Sequence, residues 1–293
     1  MEVWPALIFL STLVLLGMPH GAIDHYLYFH LTQQPFRTLS LLIFVLIYLL
    51  FSFLMAGLWI LFPAVCVCGL IGLTWAHWGE GDMIFERAQG HPVSWFFGLW
   101  RGSLPMLVPI VLYSENYRSV LHAGMQVVDP DISPASFEWL QSPQLLAVVV
   151  ALLVLIGVLS WFFILIDSGF TGRLKWRWLG EEVVLVVFFL MLPPLASIGL
   201  YFSLWHARRH IRVSCRELGP PVWTETGIDW PRFYLWAAPF TVAGILLMSL
   251  LPVFYLKSED FLMFLVGSYL ITLWSFTWPH AVICRLLHKK LSF

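Results

Sequence analysis

Residues 145–166 read LLAVVVALLVLIGVLSWFFILI, an apolar run without a single charged side chain. An α-helix needs about 20 such residues to cross the hydrocarbon core of a bilayer. Similar runs recur on both sides of this one, and of all 293 residues 60% are hydrophobic and only 11% are charged. An average soluble domain carries roughly 25% charged residues. The composition therefore predicts an all-α, polytopic membrane helix bundle, with residues 1–293 forming a single transmembrane domain.

The apolar runs predict about seven spans, at residues 3–18, 39–62, 65–78, 145–166, 182–204, 233–255 and 261–287. The first and third are short for a crossing, so we expect them to extend through the motifs that end them. Residues 93–113 carry Arg101, Pro105 and Pro109 in their middle. A central arginine is costly in lipid, and proline interrupts the helical hydrogen-bond ladder. This segment is predicted to be re-entrant or interfacial, buried against protein.

The basic residues support seven crossings and predict an orientation. Seven crossings place the ends of the first, third and fifth spans on one side, whereas an eighth crossing at 93–113 would separate them. With seven, only four of the 16 basic residues fall on the opposite side, namely Arg173, Lys175, Arg177 and Lys257. The positive-inside rule then puts the shared side in the cytoplasm and the N-terminus outside. Glu2 before the first run is not typical of a cleaved signal peptide, and a net charge of -1 argues against a nucleic-acid partner.

Six of the ten histidines lie in four short motifs, each near the end of an apolar run. The motifs are PHGAIDH at residues 19–25, AHWGEGD at 76–82, WHARRH at 205–210 and WPH at 278–280. Ionisable groups at membrane depth are expensive and mark functional sites by default. The other four, His30, His91, His122 and His288, stand alone in polar contexts and are interpreted as ordinary.

His206 and His210 are spaced i, i+4, so on a helix they project from one face and could bind one metal. An amphipathic interfacial stretch with solvated histidines remains the alternative. His20 and Asp24 have the same spacing, while His25 points away from His20 and is predicted to line the pocket. His77 is followed by Glu80 and Asp82 in a glycine-rich turn. A capping turn and a structural turn are the alternatives for these two motifs.

With seven spans, His20, His77, His206 and His210 reach the same membrane face and could form a four-nitrogen metal site, with His280 as a fifth member or in the pocket. A divalent metal on neutral imidazoles needs charge balance, which we expect from Asp24, Asp82 or Glu80. Imidazole suits Zn, Cu, Fe and Ni alike. No cysteine lies in a motif, and all four cysteines are interpreted as small buried hydrophobes. Spacing alone leaves the metal open.

The motifs GMPHGAID at 17–24, HWGEGD at 77–82, YFSLWHARRH at 201–210 and PH at 279–280 resemble those of the Brp/Blh family. These are bacteriorhodopsin-related membrane β-carotene 15,15'-dioxygenases, and the resemblance runs from the first span to the last. It implies cleavage of the central double bond of β-carotene by O2 into two retinal molecules. It also implies ligation of Fe(2+) by His20, His77, His206 and His210, with Tyr201 and Trp205 beside the site.

The resemblance further implies a multi-pass cell-membrane enzyme whose retinal could be passed to a microbial rhodopsin. One position departs from the family pattern, because Arg285 stands where an acid follows the last Pro-His. This bears on the charge balance around His280 and on substrate scope.

We expect a linear polyene to enter from the bilayer into a tunnel lined by Trp, Phe and Leu. Two other functions stay open. A histidine-box desaturase or hydroxylase acting on lipid or carotenoid would need more ligating histidines than the clustered six. A non-catalytic metal transporter would predict inverted repeats and midplane carboxylates, and the sequence shows neither.

Overall fold

The computed structural model describes residues 3–91, 93–166, 170–254 and 261–291. The chain is 86% helical, so the predicted all-α class is confirmed. The helices are α1 (Val3–Thr12), α2 (Met18–Ala22), α3 (Asp24–Thr32), α4 (Thr38–Leu61), α5 (Pro63–Arg87), α6 (Trp95–Leu112), α7 (Ser114–Gln126), α8 (Pro143–Ile166), α9 (Gly172–Met191), α10 (Pro194–Leu200), α11 (Arg208–Leu218), α12 (Trp230–Phe254) and α13 (Phe261–Leu291).

Three shorter helical segments and one hairpin complete the described chain. π-Helical segments join α1 to α2 (Leu13–Gly17) and α10 to α11 (Tyr201–Ala207), and a 3₁₀ helix covers Pro134–Gln141. Strand β1 (Trp223–Thr224) pairs antiparallel with β2 (Gly227–Ile228).

In the described part of the chain, six helical runs are long and apolar enough to cross a membrane: Val3–Thr32, Thr38–Leu61, Trp95–Leu112, Pro143–Ile166, Trp230–Ser249 and Phe261–Leu291. The first predicted span extends through its histidine motif to residue 32, as expected, and α5 carries the third to Arg87. The predicted spans 65–78 and 182–204 are not among the six. Tyr255, at the predicted end of the sixth span, and Lys257 lie outside the described residues.

Residues 93–113 require a correction, because they contain α6, a continuous helix of 18 residues rather than an interrupted segment. Arg101 is completely buried in it and forms ion pairs with Asp82 and Glu181, which offset the cost of burying its charge. Pro105 and Pro109 lie inside the helix without ending it. A buried helix tolerates such residues because neighbouring groups can satisfy the freed backbone atoms. Burial against protein, the other part of the prediction, is confirmed.

Glycines bring α5 and α6 close together. A Cβ on Gly79 would collide with the carbonyl group of Gly98, and one on Gly102 would collide with the carbonyl oxygen of Trp75. Small residues at four-residue spacing allow backbones to approach in this way inside membranes. The contact fixes α6 against the helix that carries His77.

The outer faces of α4 and α8 are apolar, whereas the centre of the bundle is tightly packed. Leu50 on α4 is 72% exposed and Val158 on α8 is 61% exposed, as expected for side chains that meet lipid. The main core includes Phe9, Trp59 and Tyr269. Around this core α1 packs on α10, α5 packs on α6, and α13 packs on α4 and α7. This packing directs the histidine-bearing helices toward one interior point.

Candidate metal centre

Five buried histidines from five separate stretches of helix meet at that point. They are His20 on α2, His77 on α5, His206 in the π-helical segment, His210 on α11 and His280 on α13, each at most 7% exposed. The His20 ring lies 4.8 Å from that of His280 and 5.6 Å from those of His206 and His210, measured between centroids. The four predicted ligands therefore share one site with His280.

Further contacts between histidine rings connect His77 and His210 to the same cluster. His77 lies 5.0 Å from both His206 and His280, and His210 lies 5.0 Å from His280. His280 thus contacts three of the four predicted ligands, and it belongs geometrically to the cluster rather than to a distant wall.

A π-helical segment sets the direction of His20. The Met18 N–H bonds to Leu13 O, five residues back, in the pattern of a π-helix. Pro19 has no N–H, so the carbonyl of Leu15 loses its usual donor, and the Tyr234 hydroxyl donates to it at 3.0 Å. One extra residue in the turn rotates every following side chain. Single π-turns of this kind often occur at functional sites.

A second π-helical segment, Tyr201–Ala207, contains His206, and His210 follows in the first turn of α11. Both rings face His20 at the same centroid distance of 5.6 Å. The i, i+4 spacing thus delivers two imidazoles to one place, although the first of them lies in a segment wider than a regular α-helix.

Three imidazole nitrogens in the cluster lack any hydrogen-bond partner among the described residues: Nε2 of His20, Nδ1 of His77 and Nε2 of His206. One donor atom from each of these three residues lies within 4.8 Å of the others. Buried polar atoms are nearly always hydrogen-bonded. Three converging histidines that each keep an unpartnered ring nitrogen have the donor type and spacing to hold a metal ion.

The hydrogen bond made by Nδ1 of His20 leaves the free lone pair on Nε2. Nδ1 of His20 bonds to the carbonyl oxygen of Gly17, so it is the nitrogen that bears the proton. Metal-binding histidines typically donate their other N–H to a carbonyl or carboxylate, which fixes the tautomer.

Asp24 fixes the tautomer of His280, as the Gly17 carbonyl does for His20. Nδ1 of His280 donates to the Asp24 carboxylate, at 2.9 Å from Oδ2 and 3.0 Å from Oδ1, and the Tyr48 hydroxyl donates to Oδ2 at 3.1 Å. Donor atoms of Asp24, His210 and His280 lie within 4.8 Å of one another. Asp24 is thus a buried acid in direct contact with the histidine cluster.

Cys284 lies in the cluster, although it belongs to none of the histidine motifs. Its Sγ is 3.4 Å from Nε2 of His280 and 3.9 Å from Nδ1 of His210. The signal that could have found it is its spacing, four residues after His280 on α13, which places both on one helix face. Of the other cysteines, Cys66 and Cys215 are buried as expected, whereas Cys68 is exposed.

Asp82 lies among arginines instead of histidines. Its carboxylate accepts hydrogen bonds from Arg101 and Arg209, each at 2.8 Å, and Glu181 bonds to the same two guanidinium groups at 3.2 Å and 3.0 Å. Trp205 packs against this arginine network, with its ring 4.6 Å from the Arg209 guanidinium. Asp82 therefore links α5 to α6 and α11 beside the site, and Trp205 packs on this link.

Three other residues predicted near the metal have separate contacts. Glu80 pairs with His288 at 3.0 Å and lies 4.0 Å from Arg285, whose side chain is 76% exposed. His25 lines the apolar cavity beside the histidines, as the sequence predicts, and packs against Phe240 with centroids 4.5 Å apart. Tyr201 packs against Trp78 at 5.3 Å.

The four histidines interpreted as ordinary have partners outside the cluster, namely Glu217 for His30, Glu86 for His91, Ile132 O for His122 and Glu80 for His288.

An apolar cavity of about 370 Å³ adjoins the histidines. His20, His77 and His280 line it on one side, and α4 and α12 contribute apolar side chains that include Phe44, Phe240 and Leu247. Phe53 also lines it and is 55% exposed, so the cavity reaches the outer face of the bundle. Such a site suits an elongated apolar ligand that arrives from lipid.

Comparisons with known proteins agree with these features. Residues 11–288 match the family model described as β-carotene 15,15'-dioxygenase. A Halobacterium salinarum protein named as a probable β-carotene 15,15'-dioxygenase, Blh, is 31% identical over 268 residues, which cover 82% of this chain and 72% of that protein. A β-carotene 15,15'-dioxygenase of the uncultured marine bacterium 66A03 is 24% identical over 214 residues, 71% of this chain and 69% of the relative. No solved structure matches.

Proposed function

We propose, from the premise that this chain belongs to the β-carotene 15,15'-dioxygenase family, that it cleaves the central double bond of β-carotene to give two molecules of retinal. The observation that carries the proposal is the convergence of three buried histidines, each with a ring nitrogen that lacks a partner among the described residues, beside an apolar cavity that reaches the outer face of the bundle. The donors suit a catalytic metal, and the cavity suits a hydrocarbon.

His20, His77, His206 and His210 would hold the metal, which we propose to be Fe(2+). Neutral imidazole is a good ligand for this ion. When bound, iron would supply the activation of O2 that cleavage of a carbon–carbon double bond requires.

The protein's own residues would position the substrate and exclude water. Phe44, Phe240 and Leu247 form apolar walls that would hold the polyene beside the histidines. Asp24 fixes the His280 ring, and the arginine network around Asp82 fixes α5, α6 and α11 relative to one another. Holding reactants in one geometry, away from water, lowers the barrier without any proton transfer by a side chain.

We further propose that the single catalytic domain of residues 1–293 is a multi-pass protein of the cell membrane with its N-terminus outside and the metal-side loops in the cytoplasm. β-Carotene would enter from membrane lipid through the opening near Phe53. The retinal product would remain in the bilayer, where a microbial rhodopsin could take it up.

The direct test is expression in a bacterium that makes β-carotene. We expect loss of the yellow colour and the formation of two retinal molecules per carotene. Persistent colour with the protein present in the membrane, or apocarotenals of unequal length, would contradict central cleavage.

Metal content separates this function from the desaturase alternative. A mononuclear dioxygenase should contain one iron per chain, whereas a histidine-box desaturase should contain two and should leave the carbon chain intact.

A further inference from the structure

Charge balance at the metal centre points to a donor beyond the histidines. Imidazole ligands are neutral, so a divalent ion needs two negative charges nearby to offset the cost of burial. Of the acids predicted to supply them, Asp82 pairs with Arg101 and Arg209, and Glu80 pairs with His288. Asp24 contacts His280 and supplies one charge. A second charge has to come from another group.

Cys284 is positioned to supply that charge. Its Sγ lies within 4.8 Å of donor atoms of both His77 and His280. His77 is only 5% exposed, and its Nδ1 has no hydrogen-bond partner in the described part of the chain. His77, one of whose ring nitrogens lies beside the thiol, thus keeps a buried nitrogen without a hydrogen-bond partner in the described part of the chain, as expected of a metal ligand.

The distances around the sulfur are those of neighbouring ligands on one ion. With bonds of about 2.1 Å to nitrogen and about 2.3 Å to sulfur, two ligands at about 90–109° are about 3.1–3.6 Å apart. The Sγ of Cys284 lies 3.4 Å from Nε2 of His280, inside this interval. Its distance of 3.9 Å to Nδ1 of His210 corresponds to a somewhat wider angle.

From these contacts we infer that Cys284 is a sulfur ligand of the metal, on the same ion as the histidines. The inference rests on the proposed metal centre. On binding, the S–H bond breaks, a metal–sulfur bond forms, and the proton leaves to solvent, with no change in the oxidation state of either atom. The thiolate then supplies the second negative charge, and its softness favours a thiophilic ion over Mg²⁺ or Mn²⁺.

X-ray absorption spectroscopy of the full-length protein loaded with Zn²⁺ tests this inference. Sulfur and nitrogen neighbours are resolved because Zn–S bonds are about 2.3 Å and Zn–N bonds about 2.0–2.1 Å long. We expect one sulfur neighbour per zinc in the wild-type protein and none in Cys284→Ser. Cys215→Ser is the matched control, because Cys215 is equally buried but packs against Ile23 and Ile211. This variant should keep the sulfur signal.

The possible outcomes separate the two proposals. Bound zinc with only nitrogen and oxygen neighbours in the wild-type protein would overturn the sulfur ligand and leave the histidine centre intact, whether or not Cys284→Ser folds. A sulfur signal that persists in Cys284→Ser would also overturn it, because another residue would be its source. A wild-type protein that binds neither zinc nor iron would overturn the metal centre and the sulfur ligand together.

Discussion

The histidine cluster and the arginine network are neighbouring buried polar regions that share helices but differ in how their polar groups are satisfied. His77 and Asp82 are five residues apart on α5, and Arg209 immediately precedes His210. In the network, Asp82 and Glu181 each bond to both Arg101 and Arg209. In the cluster, nitrogens of His20, His77 and His206 have no partner among the described residues.

This difference suggests a structural role for the arginine network and a ligand-binding role for the histidine cluster. A buried charge that has its counter-charge in place can hold helices together, although Nη1 of Arg101 itself has no hydrogen-bond partner among the described residues. Buried donors that converge without partners would cost stability unless a ligand satisfies them. Both regions were marked by ionisable residues at membrane depth, and only the contacts distinguish the paired charges from the histidines with unpartnered nitrogens.

The largest expected effect comes from removing a ligand. His206→Ala should abolish metal binding and retinal formation, a loss greater than the about 10–100-fold that removal of an outer partner causes. Metal per chain and retinal yield are the measurements. His122→Ala is the control, because His122 bonds only to the carbonyl oxygen of Ile132, outside the cluster. Retained activity in His206→Ala would remove His206 from the site.

Breaking the network should instead lower stability. Asp82→Asn leaves two buried arginines facing one acid, and loss of one partner of a buried ion pair costs about 3–5 kcal/mol. Denaturant unfolding in detergent measures the change in the free energy of unfolding. Asp229→Asn is the control, because the Arg232 side of its pair is 56% exposed, and such pairs contribute only about 0–1 kcal/mol.

The same Asp82→Asn variant tests whether the arginine network and the metal centre are separate regions. Folded protein should keep its full metal content, because Asp82 contacts arginines and not the histidines. Loss of metal at unchanged stability would place Asp82 in the metal centre, as the sequence predicts.

Asp24 is expected to matter for metal affinity more than for stability. Asp24→Asn removes the charge that orients His280 and should weaken metal binding by about 10–100-fold. Competition with a chelator of known affinity measures this. Glu80→Gln serves as the comparison and should change the affinity much less, since Glu80 pairs with His288. Equal effects of the two substitutions would mean that both acids balance the metal's charge.

The smallest effect should come from the glycines beside the ligands. A Cβ at Gly81 would lie 2.9 Å from Cε1 of His206, so Gly81→Ala should displace the ring and lower metal affinity by about tenfold, in line with an overpacking cost of about 1–3 kcal/mol. At Gly21 the nearest atom, Nδ1 of His280, is 3.5 Å away, an ordinary contact. Gly21→Ala should leave the chelator competition almost unchanged, and an equal loss in both variants would show that backbone freedom matters more than the ring contact.

The all-α class and the histidine motifs could be predicted from the sequence. Which segments form long continuous helices could not be predicted in full. The prediction for residues 93–113 counted Arg101 as a cost in lipid and Pro105 and Pro109 as breaks in the helix. The structure pairs Arg101 with Asp82 and Glu181, which lie 19 and 80 positions away. A span that depends on such distant partners cannot be recognised from its own composition.

The amino-acid sequence by itself determined the membrane class, because composition alone fixes how much surface can face water, and it singled out the histidine motifs, because ionisable groups are rare in lipid. Only the tertiary structure decided which acids and thiols accompany them. His280 bonds to Asp24, 256 positions away, and Cys284 faces His210. These contacts depend on two π-helical turns, which rotate the side chains that follow them, and on close helix packing at glycines. Neither feature has a local sequence pattern from which the contacts could be predicted.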